Sequence, residues 1–391
     1  MKKEKIVLAY SGGLDTSCCL KWLQDKGFDV ICFSAGLGSE FSPKELKEKA
    51  KKAGIAKIYI KDLCKEFSRD YILPALRAGA IYQDKYVLST ALGRPLIAKY
   101  LIEIAKLERA KYIAHGCSSK GNDQIRLELA AKSLAPDIKI IAPLRVWELK
   151  SREDELEYAK RNNIAVGSTK KKIYSIDKNI WGVSIEAGIL EDLKNSPPED
   201  AFILTKPLEK ASGRKENIEI ELKEGKPVKL NKKSLSLTGI IEKLNFIGGR
   251  HAIGRTDLVE DRATGIKSRE VYEAPAAWIL HKAFKEIEEL VFSKEMRDFK
   301  EIVARRYADL AYRGFWFSPL KESLDAFLEK QVRLVSGKVI LQLYKGNIVT
   351  LSRSSQYSLY KESLATYGKK DEFCRDWAEG YINILGMSIK R

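Results

Sequence analysis

Two stretches of this chain gather side chains capable of chemistry at spacings a fold could turn into sites. The first is Ser11-Gly12-Gly13-Leu14-Asp15-Thr16-Ser17, directly after the apolar run KIVLAY at 5–10. Successive backbone N–H groups in a glycine-rich turn, completed by a helix N-terminus, form a cradle for anions. Gly12 and Gly13 let the backbone approach phosphate oxygens, and the hydroxyls of Ser11, Thr16 and Ser17 add donors. Asp15 fits either a contact of that loop or a first-turn acid favoured by the helix dipole. The loop is neither GxxxxGK[ST] nor GxGxxG. The second stretch runs from Ala114 to Arg126 and packs an amide, a carboxylate and a guanidinium into Asn122, Asp123 and Arg126. Asn122 and Arg126 are four apart and share a face once helical. Arg126 can take a carboxylate through two N–H groups, and Asp123 can hold an ammonium. A capped helix carrying a surface Asp and Arg is the plainer alternative.

Other chemistry is harder to assemble. The six cysteines (Cys18, Cys19, Cys32, Cys64, Cys117, Cys374) form no CxxC pair, and His115, His251 and His281 are too scattered for a zinc site. No metal ligands are expected, and the thiols read as buried groups in a reducing compartment. No Ser/His/Asp or Cys/His nucleophile is evident, so no catalytic residue is assigned.

The elements that must position these residues follow from the apolar pattern. Short β-rich runs at 5–10, 30–35, 57–60, 111–116 and 138–144 alternate with helical patterns at 16–26, 43–53, 63–78, 91–108, 123–134 and 151–162. That alternation predicts an α/β fold with a doubly wound, mostly parallel sheet over residues 1–165, whose ligands sit outside the carboxyl ends of its strands. Residues 166–391 change character and read as an α+β domain. Hairpins are expected at 218–230, turning at Glu224-Gly225, and at 337–352, turning at Lys345-Gly346-Asn347. A long helical stretch spans 275–312, with room for one break, and Ser196-Pro197-Pro198 is a loop.

At 391 residues, with 45% hydrophobic and 31% charged residues, the chain reads as a two-domain globular protein. No apolar run approaches the roughly 18–20 residues of a membrane helix, and the apolar start is too short for a signal peptide. A cytoplasmic protein with no membrane partner is expected. The net charge of +17 is spread along the chain, with only short runs such as Lys170 to Lys172 and the pair Lys232 and Lys233. Aromatics are not interleaved with the lysines as in a nucleic-acid track, so most of the excess is read as solvated surface and no nucleic-acid partner is expected.

The motifs carry a resemblance as well. The Ser-Gly-Gly-x-Asp-[Ser/Thr] loop resembles the pyrophosphatase loop of the N-type ATP pyrophosphatases, which split ATP between its α and β phosphates. GGLDTS and the stretch around Lys120 to Glu128 resemble the argininosuccinate synthase forms of two signatures, the second written KGNDQVRFE in that family. GRTDLVEDRATGIKSREVYEAP (254–275), SIEAGILED (184–192) and GFWFSPL (314–320) also resemble family segments, in the expected order from Val7 to about Gly386.

The resemblance implies an ATP-dependent ligase that joins citrulline to aspartate through citrullyl-AMP, releasing AMP and pyrophosphate. It implies ATP binding by Ala9, Tyr10, Ser11, Gly12, Gly13, Leu14, Asp15, Thr16, Ser17, Ala35 and Gly116. Citrulline would be held by Tyr86, Ala91 (through its backbone), Asn122, Arg126, Ser175, Ser184, Glu260 and Tyr272, and aspartate by Ser118, Asn122 and Asp123. Mg²⁺ would ride mainly on the phosphates, and the assembly would be a homotetramer. His115 is open between a proton shuttle and a buried structural histidine. The chain departs from the family at Ser118-Ser119, at Gly36-Leu37-Gly38-Ser39, and at an end close behind Ile384-Leu385-Gly386 that shortens a C-terminal contact helix. Two other classes share the loop. A tRNA-thiolating enzyme would need a catalytic cysteine pair, which no motif makes of Cys117 and Cys374, and a nucleotide sensor would bind without turnover.

Overall fold

The computed structural model describes residues 3–38, 42–118, 120–149, 151–164 and 174–389. The expected boundary between residues 165 and 166, together with Ser39, Ser119 and the run Lys170 to Lys172, lies outside the described residues.

The five apolar runs of the first half form one parallel sheet of β1 (Lys5–Ala9), β2 (Asp29–Gly36), β3 (Lys57–Asp62), β4 (Tyr112–Ala114) and β5 (Lys139–Ile141), in the order β3-β2-β1-β4-β5. The central strand β1 is buried on both sides, as its unbroken Ile6-Val7-Leu8 requires. Val7 faces helix Ser89–Glu108, and Ile6 and Leu8 face helix Leu14–Asp25 through Cys18, Cys19 and Leu23. On the first side, Leu92, Leu96 and Leu101 are completely buried, each gaining roughly 1.5–3 kcal/mol by leaving water. The order reverses direction at β1, so the loops leaving β1 and β4 part there and open a crevice at the carboxyl edge. The α/β, doubly wound fold is therefore present as expected. Its helix over 63–78 carries a wide π turn at Ser68–Ile72, just ahead of Pro74, which has no N–H to donate.

The second half holds β6 (Ser175–Asn179), β7 (Gly182–Glu186), β8 (Glu216–Lys223), β9 (Lys226–Leu230), β10 (Lys233–Ser234), β11 (Arg255–Asp261), β12 (Lys267–Glu273), β13 (Gly337–Tyr344) and β14 (Asn347–Ser354). They make two antiparallel sheets, β10-β9-β8-β13-β14 and β11-β12-β7-β6. Both expected hairpins are present. Glu224 and Gly225 have φ of 49° and 63°, and Lys345 and Gly346 have 41° and 81°, the left-handed pairs whose twist suits two-residue turns. Asn347 already belongs to β14. The 275–312 stretch is two helices, Pro275–Val291 and Lys294–Tyr312, separated at Phe292-Ser293, where Ser293 Oγ accepts from Met296 N at 3.3 Å. Hairpins β6-β7 and β11-β12 were not evident in the sequence. Helix Arg375–Met387 ends the described chain, with Trp377, Tyr381, Ile384 and Leu385 exposed along one side. No described helix is long and apolar enough to cross a membrane.

Candidate active site

The loop after β1 is built as a cradle. Gly12 has φ of 76° and Gly13 is extended as the cap of helix Leu14–Asp25, with no side chain accepting from the first helical N–H groups. Those donors face the crevice unclaimed by a cap. Ser11 Oγ shares a hydrogen bond with Thr16 Oγ1 at 3.1 Å and accepts from Gly13 N at 3.3 Å. Beneath the loop, Ser34 Oγ donates to Tyr10 O, and the Tyr10 and Ser17 hydroxyls lie 3.3 Å apart. Ala35, next along β2, is half-buried at the edge of this floor. Asp15 is hydrogen-bonded to Glu155 of helix Arg152–Arg161. Burial first, and then the hydrogen bond and charge of Asp15, raise the Glu155 carboxyl to about 8.

The stretch after β4 crosses against this loop. A Cβ on Gly116 would stand 3.1 Å from Thr16 Cγ2 and 3.5 Å from Cys19 Sγ, so glycine lets the two segments meet without displacing Thr16. His115, buried beside it, accepts from Cys117 N at Nδ1 and meets Glu128 Oε1 through Nε2, at 3.2 and 2.9 Å. Both ring nitrogens are hydrogen-bonded within the protein in this state.

Six residues beyond Gly116, the chain enters a second polar site on the sheet β11-β12-β7-β6. Ser184 is opposite both Asp177 and Tyr272, Glu186 is opposite Ser175, and Glu260 is opposite Ser268. Opposed residues share a face, as do alternate ones. One face therefore carries Ser175, Asp177, Ser184, Glu186, Glu260, Glu270 and Tyr272, while Val183, Ile185 and Val271 pack a small apolar core on the other. The polar face meets the starts of helices Ser89–Glu108 and Asn122–Leu134. Glu260, fully buried, accepts from Tyr272 Oη at 2.5 Å, Tyr312 Oη at 2.6 Å and Asn122 Nδ2 at 3.1 Å. Asn122 Oδ1 accepts from Ala263 N at 2.8 Å. The Tyr86 and Tyr272 rings stack at 4.2 Å, and the Tyr86 hydroxyl accepts from Thr90 N and Ala91 N, both at 3.1 Å. Thr90 Oγ1 in turn lies 3.3 Å from Ser184 Oγ.

Arg126 donates from Nε to Tyr312 O at 2.7 Å and from Nη1 to Asp123 Oδ1 at 3.1 Å, with its guanidinium 4.6 Å from the Tyr312 ring. Arg94 binds both Asp123, at 2.7 Å, and Asp177. Burial alone would raise the Asp123 carboxyl, but the charges of Arg94 and Arg126 outweigh it and hold it down to about 2. Arg262 links Glu186 and Glu270. Facing groups therefore alternate in sign across a surface fit for zwitterions.

Two family models match, "Arginosuccinate synthase N-terminal HUP domain" over residues 5–165 and "Arginosuccinate synthase C-terminal domain" over 174–391. The argininosuccinate synthase of Caldanaerobacter subterraneus subsp. tengcongensis is 52% identical over 391 residues, covering 100% of this chain and 95% of that protein. Those of Chlorobium chlorochromatii and Carboxydothermus hydrogenoformans are each 50% identical, covering 100% and 99% of this chain and 98% and 97% of theirs. The chain belongs to the argininosuccinate synthase family.

Of the residues the argininosuccinate synthase resemblance singled out, the structure brings Tyr86, Ala91, Asn122, Asp123, Arg126, Ser184, Glu260 and Tyr272 into one connected network. Ser175 is exposed at the start of β6, on the same face two residues from Asp177. Ser118 is exposed, and its carbonyl accepts from Gly121 N at 3.2 Å. Leu37, in the departure after β2, accepts from Ile180 N at 2.8 Å and so ties that segment to the β6-β7 turn. Sequence reasoning missed Arg94, Asp177, Glu186, Arg262, Glu270 and Tyr312. A period-two reading of KSREVYE would have placed Glu270 beside Tyr272, and a helical reading would have placed Arg94 three residues from Ala91 on the same face.

Proposed function

We propose that this chain is an ATP-dependent ligase that joins citrulline and aspartate to form argininosuccinate, AMP and pyrophosphate, with residues 1–165 binding ATP and residues 166–391 completing the amino-acid site. One observation carries the reading: Gly116 packs on Thr16 of the anion cradle, and six residues later Asn122 enters the Glu260–Tyr272–Tyr312 network. A single short segment thus couples a phosphate site to a site for amino acids.

In this reading Ala9 to Ser17, with Ala35 and Gly116, hold ATP. The ureido oxygen of citrulline attacks the α-phosphorus, and the bond to the β-phosphate oxygen breaks. Pyrophosphate leaves into the backbone N–H groups of the turn and the helix start at Gly12 to Leu14. Citrulline lies on the polar sheet face against Tyr86, Asn122, Arg126, Ser175, Ser184, Glu260 and Tyr272. Ala91 contributes through its backbone N–H, which fixes the Tyr86 hydroxyl. Aspartate meets Ser118, Asn122 and Asp123. Its amine attacks the activated carbon, and AMP leaves with the former ureido oxygen. Catalysis here is positioning and charge stabilisation. Among the described residues no group of three His, Cys, Asp or Glu side chains is placed to hold a metal ion, which suits Mg²⁺ arriving as the counter-ion of ATP and keeping its waters.

The apolar side of helix Arg375–Met387 supports a homotetramer in which this helix packs on another copy, and the buried free thiols Cys18, Cys19, Cys32 and Cys64 suit a reducing cytoplasm. The deciding experiment is pyrophosphate release with citrulline and aspartate omitted in turn, followed by turnover of citrulline labelled with heavy oxygen. Release that requires citrulline, with the label recovered in AMP, supports the reading. Release indifferent to citrulline, or label in pyrophosphate, overturns it.

A further inference from the structure

The Tyr272 hydroxyl touches two carboxyl groups, 2.5 Å from Glu260 Oε2 and 2.9 Å from Glu270 Oε2. A phenol carries one proton and can donate to only one of them. The other carboxyl must donate to the phenol oxygen. Glu260 collects two further donors, Tyr312 Oη and Asn122 Nδ2, and is the acceptor. Among the described residues Glu270 has, besides the phenol, Arg262 Nη2 at 3.4 Å, a group committed more closely to Glu186. The proton between these groups therefore sits on Glu270.

The surroundings agree. Glu270 on β12 faces Glu260 from β11, Glu186 from β7, Arg262 beyond β11, Arg126 from helix Asn122–Leu134, and the phenols of Tyr272 and Tyr86. Burial first, and then the charges of Glu260 and Glu186, push its carboxyl well above the usual range, against the opposing pull of the Tyr272 hydrogen bond and of Arg126. Its side chain is nevertheless 13% exposed, so it borders the space the network encloses. Among the described residues around that space, Asp123, Asp177, Glu186 and Glu260, joined by Glu270 once it ionises, outnumber the guanidiniums of Arg94, Arg126 and Arg262, which favours a bound cation.

We propose that Glu270 is a proton-linked clamp for the ammonium group of the amino acid bound on this face. In the free protein its carboxyl carries the proton donated to Tyr272. When the ammonium arrives, that proton passes to solvent, the Glu270 carboxylate pairs with the ammonium, and the Tyr272 proton stays on its bond to Glu260. The ammonium keeps its three protons, so one proton is released for each substrate bound. The inference rests on citrulline occupying this face.

Titration calorimetry of the native chain with citrulline near pH 7, in two buffers of different ionisation enthalpy, reads the released proton directly. Release approaching one proton per site is expected, with affinity rising as pH rises towards the free-state value for Glu270. Glu270→Gln keeps a donor towards the Tyr272 oxygen, so the network stays satisfied. The variant should bind citrulline on the order of tenfold or more weakly, for want of an ionic partner, and release no proton. Binding by the native chain without proton release, or unchanged release by Glu270→Gln, overturns the inference while leaving the ligase reading intact. A native chain that binds no citrulline overturns both.

Discussion

Tyr312→Phe is the sharpest probe of the amino-acid site, because it removes one oxygen and leaves everything else in place. The ring keeps its stacking on Tyr82 at 3.6 Å, its edge contact with Tyr86 at 6.2 Å and the guanidinium of Arg126 at 4.6 Å. What disappears is the 2.6 Å bond donated to Glu260 and the acceptor 2.9 Å from Asn122 Nδ2. The amide retains Glu260 at 3.1 Å, so the principal loss is one of three donors to a buried carboxyl. A hydrogen bond to a charged group contributes about 1.5–3 kcal/mol. If Glu260 holds citrulline, that becomes a fall of roughly ten- to a hundredfold in kcat/KM for citrulline. Pyrophosphate release at saturating ATP and aspartate measures it, and KM for ATP should stay within about twofold. Tyr307→Phe is the control, since Tyr307 lies on the same helix and donates to Asp325 at 2.9 Å, outside this network. An unchanged kcat/KM for Tyr312→Phe, or an equal fall for Tyr307→Phe, would refute the placement of citrulline at Glu260.

Other perturbations separate the phosphate cradle, the scaffold and the pH response. Gly12→Ala places a Cβ at φ of 76°, a strain of about 1–2 kcal/mol. It should raise KM for ATP about tenfold while leaving calorimetric binding of citrulline unchanged, and equal losses for both ligands would count against a separate cradle. Glu273 is fully buried and accepts from the backbone N–H groups of Ile203, Leu204 and Thr205. Glu273→Leu strands those donors at a cost on the order of 3–5 kcal/mol, read as a large drop in the urea midpoint. His281 is held neutral because burial, and then Lys300, push its imidazole down to about 3. A base with a depressed folded-state value leaves stability intact above the ordinary value near 6.5 and erodes it as pH falls from there towards 3. His281→Gln should flatten that part of the stability–pH curve, and an unaltered slope would mean that the imidazole is not the titrating group.

The parallel sheet was legible because its central strands β1 and β2 are buried on both faces and so announce themselves as unbroken apolar runs, Ile6-Val7-Leu8 above all. The glycine turn after β1 was legible because its geometry is local, contained in a turn and one helix start. The amino-acid site was only half legible. SIDKN at β6 and KSREVYE at β12 carry the polar side chains of one sheet face and therefore lack the alternating apolar pattern that marks a half-buried strand. Tyr312 reads as an ordinary helical aromatic, since its role comes from meeting Asn122 across 190 positions of chain. Arg94 likewise gains its meaning from Asp177, 83 residues away. Long-range pairing of this kind leaves no trace in spacing.

The β11-β12 turn has a consequence for anyone who engineers this protein. Thr264 and Ile266 are exposed, and the turn closes by the bond from Arg262 N to Ile266 O at 2.9 Å, so many substitutions at these two positions should pass unnoticed, whereas Gly265, with φ of 87°, must stay glycine to avoid strain. Length is another matter. One residue added or removed between Arg262 and Ile266 would rotate every later side chain of β12 to the opposite side of its sheet, sending Tyr272 into the apolar core and Val271 onto the polar face. A mutant library at this loop should therefore vary its letters and never its number of letters.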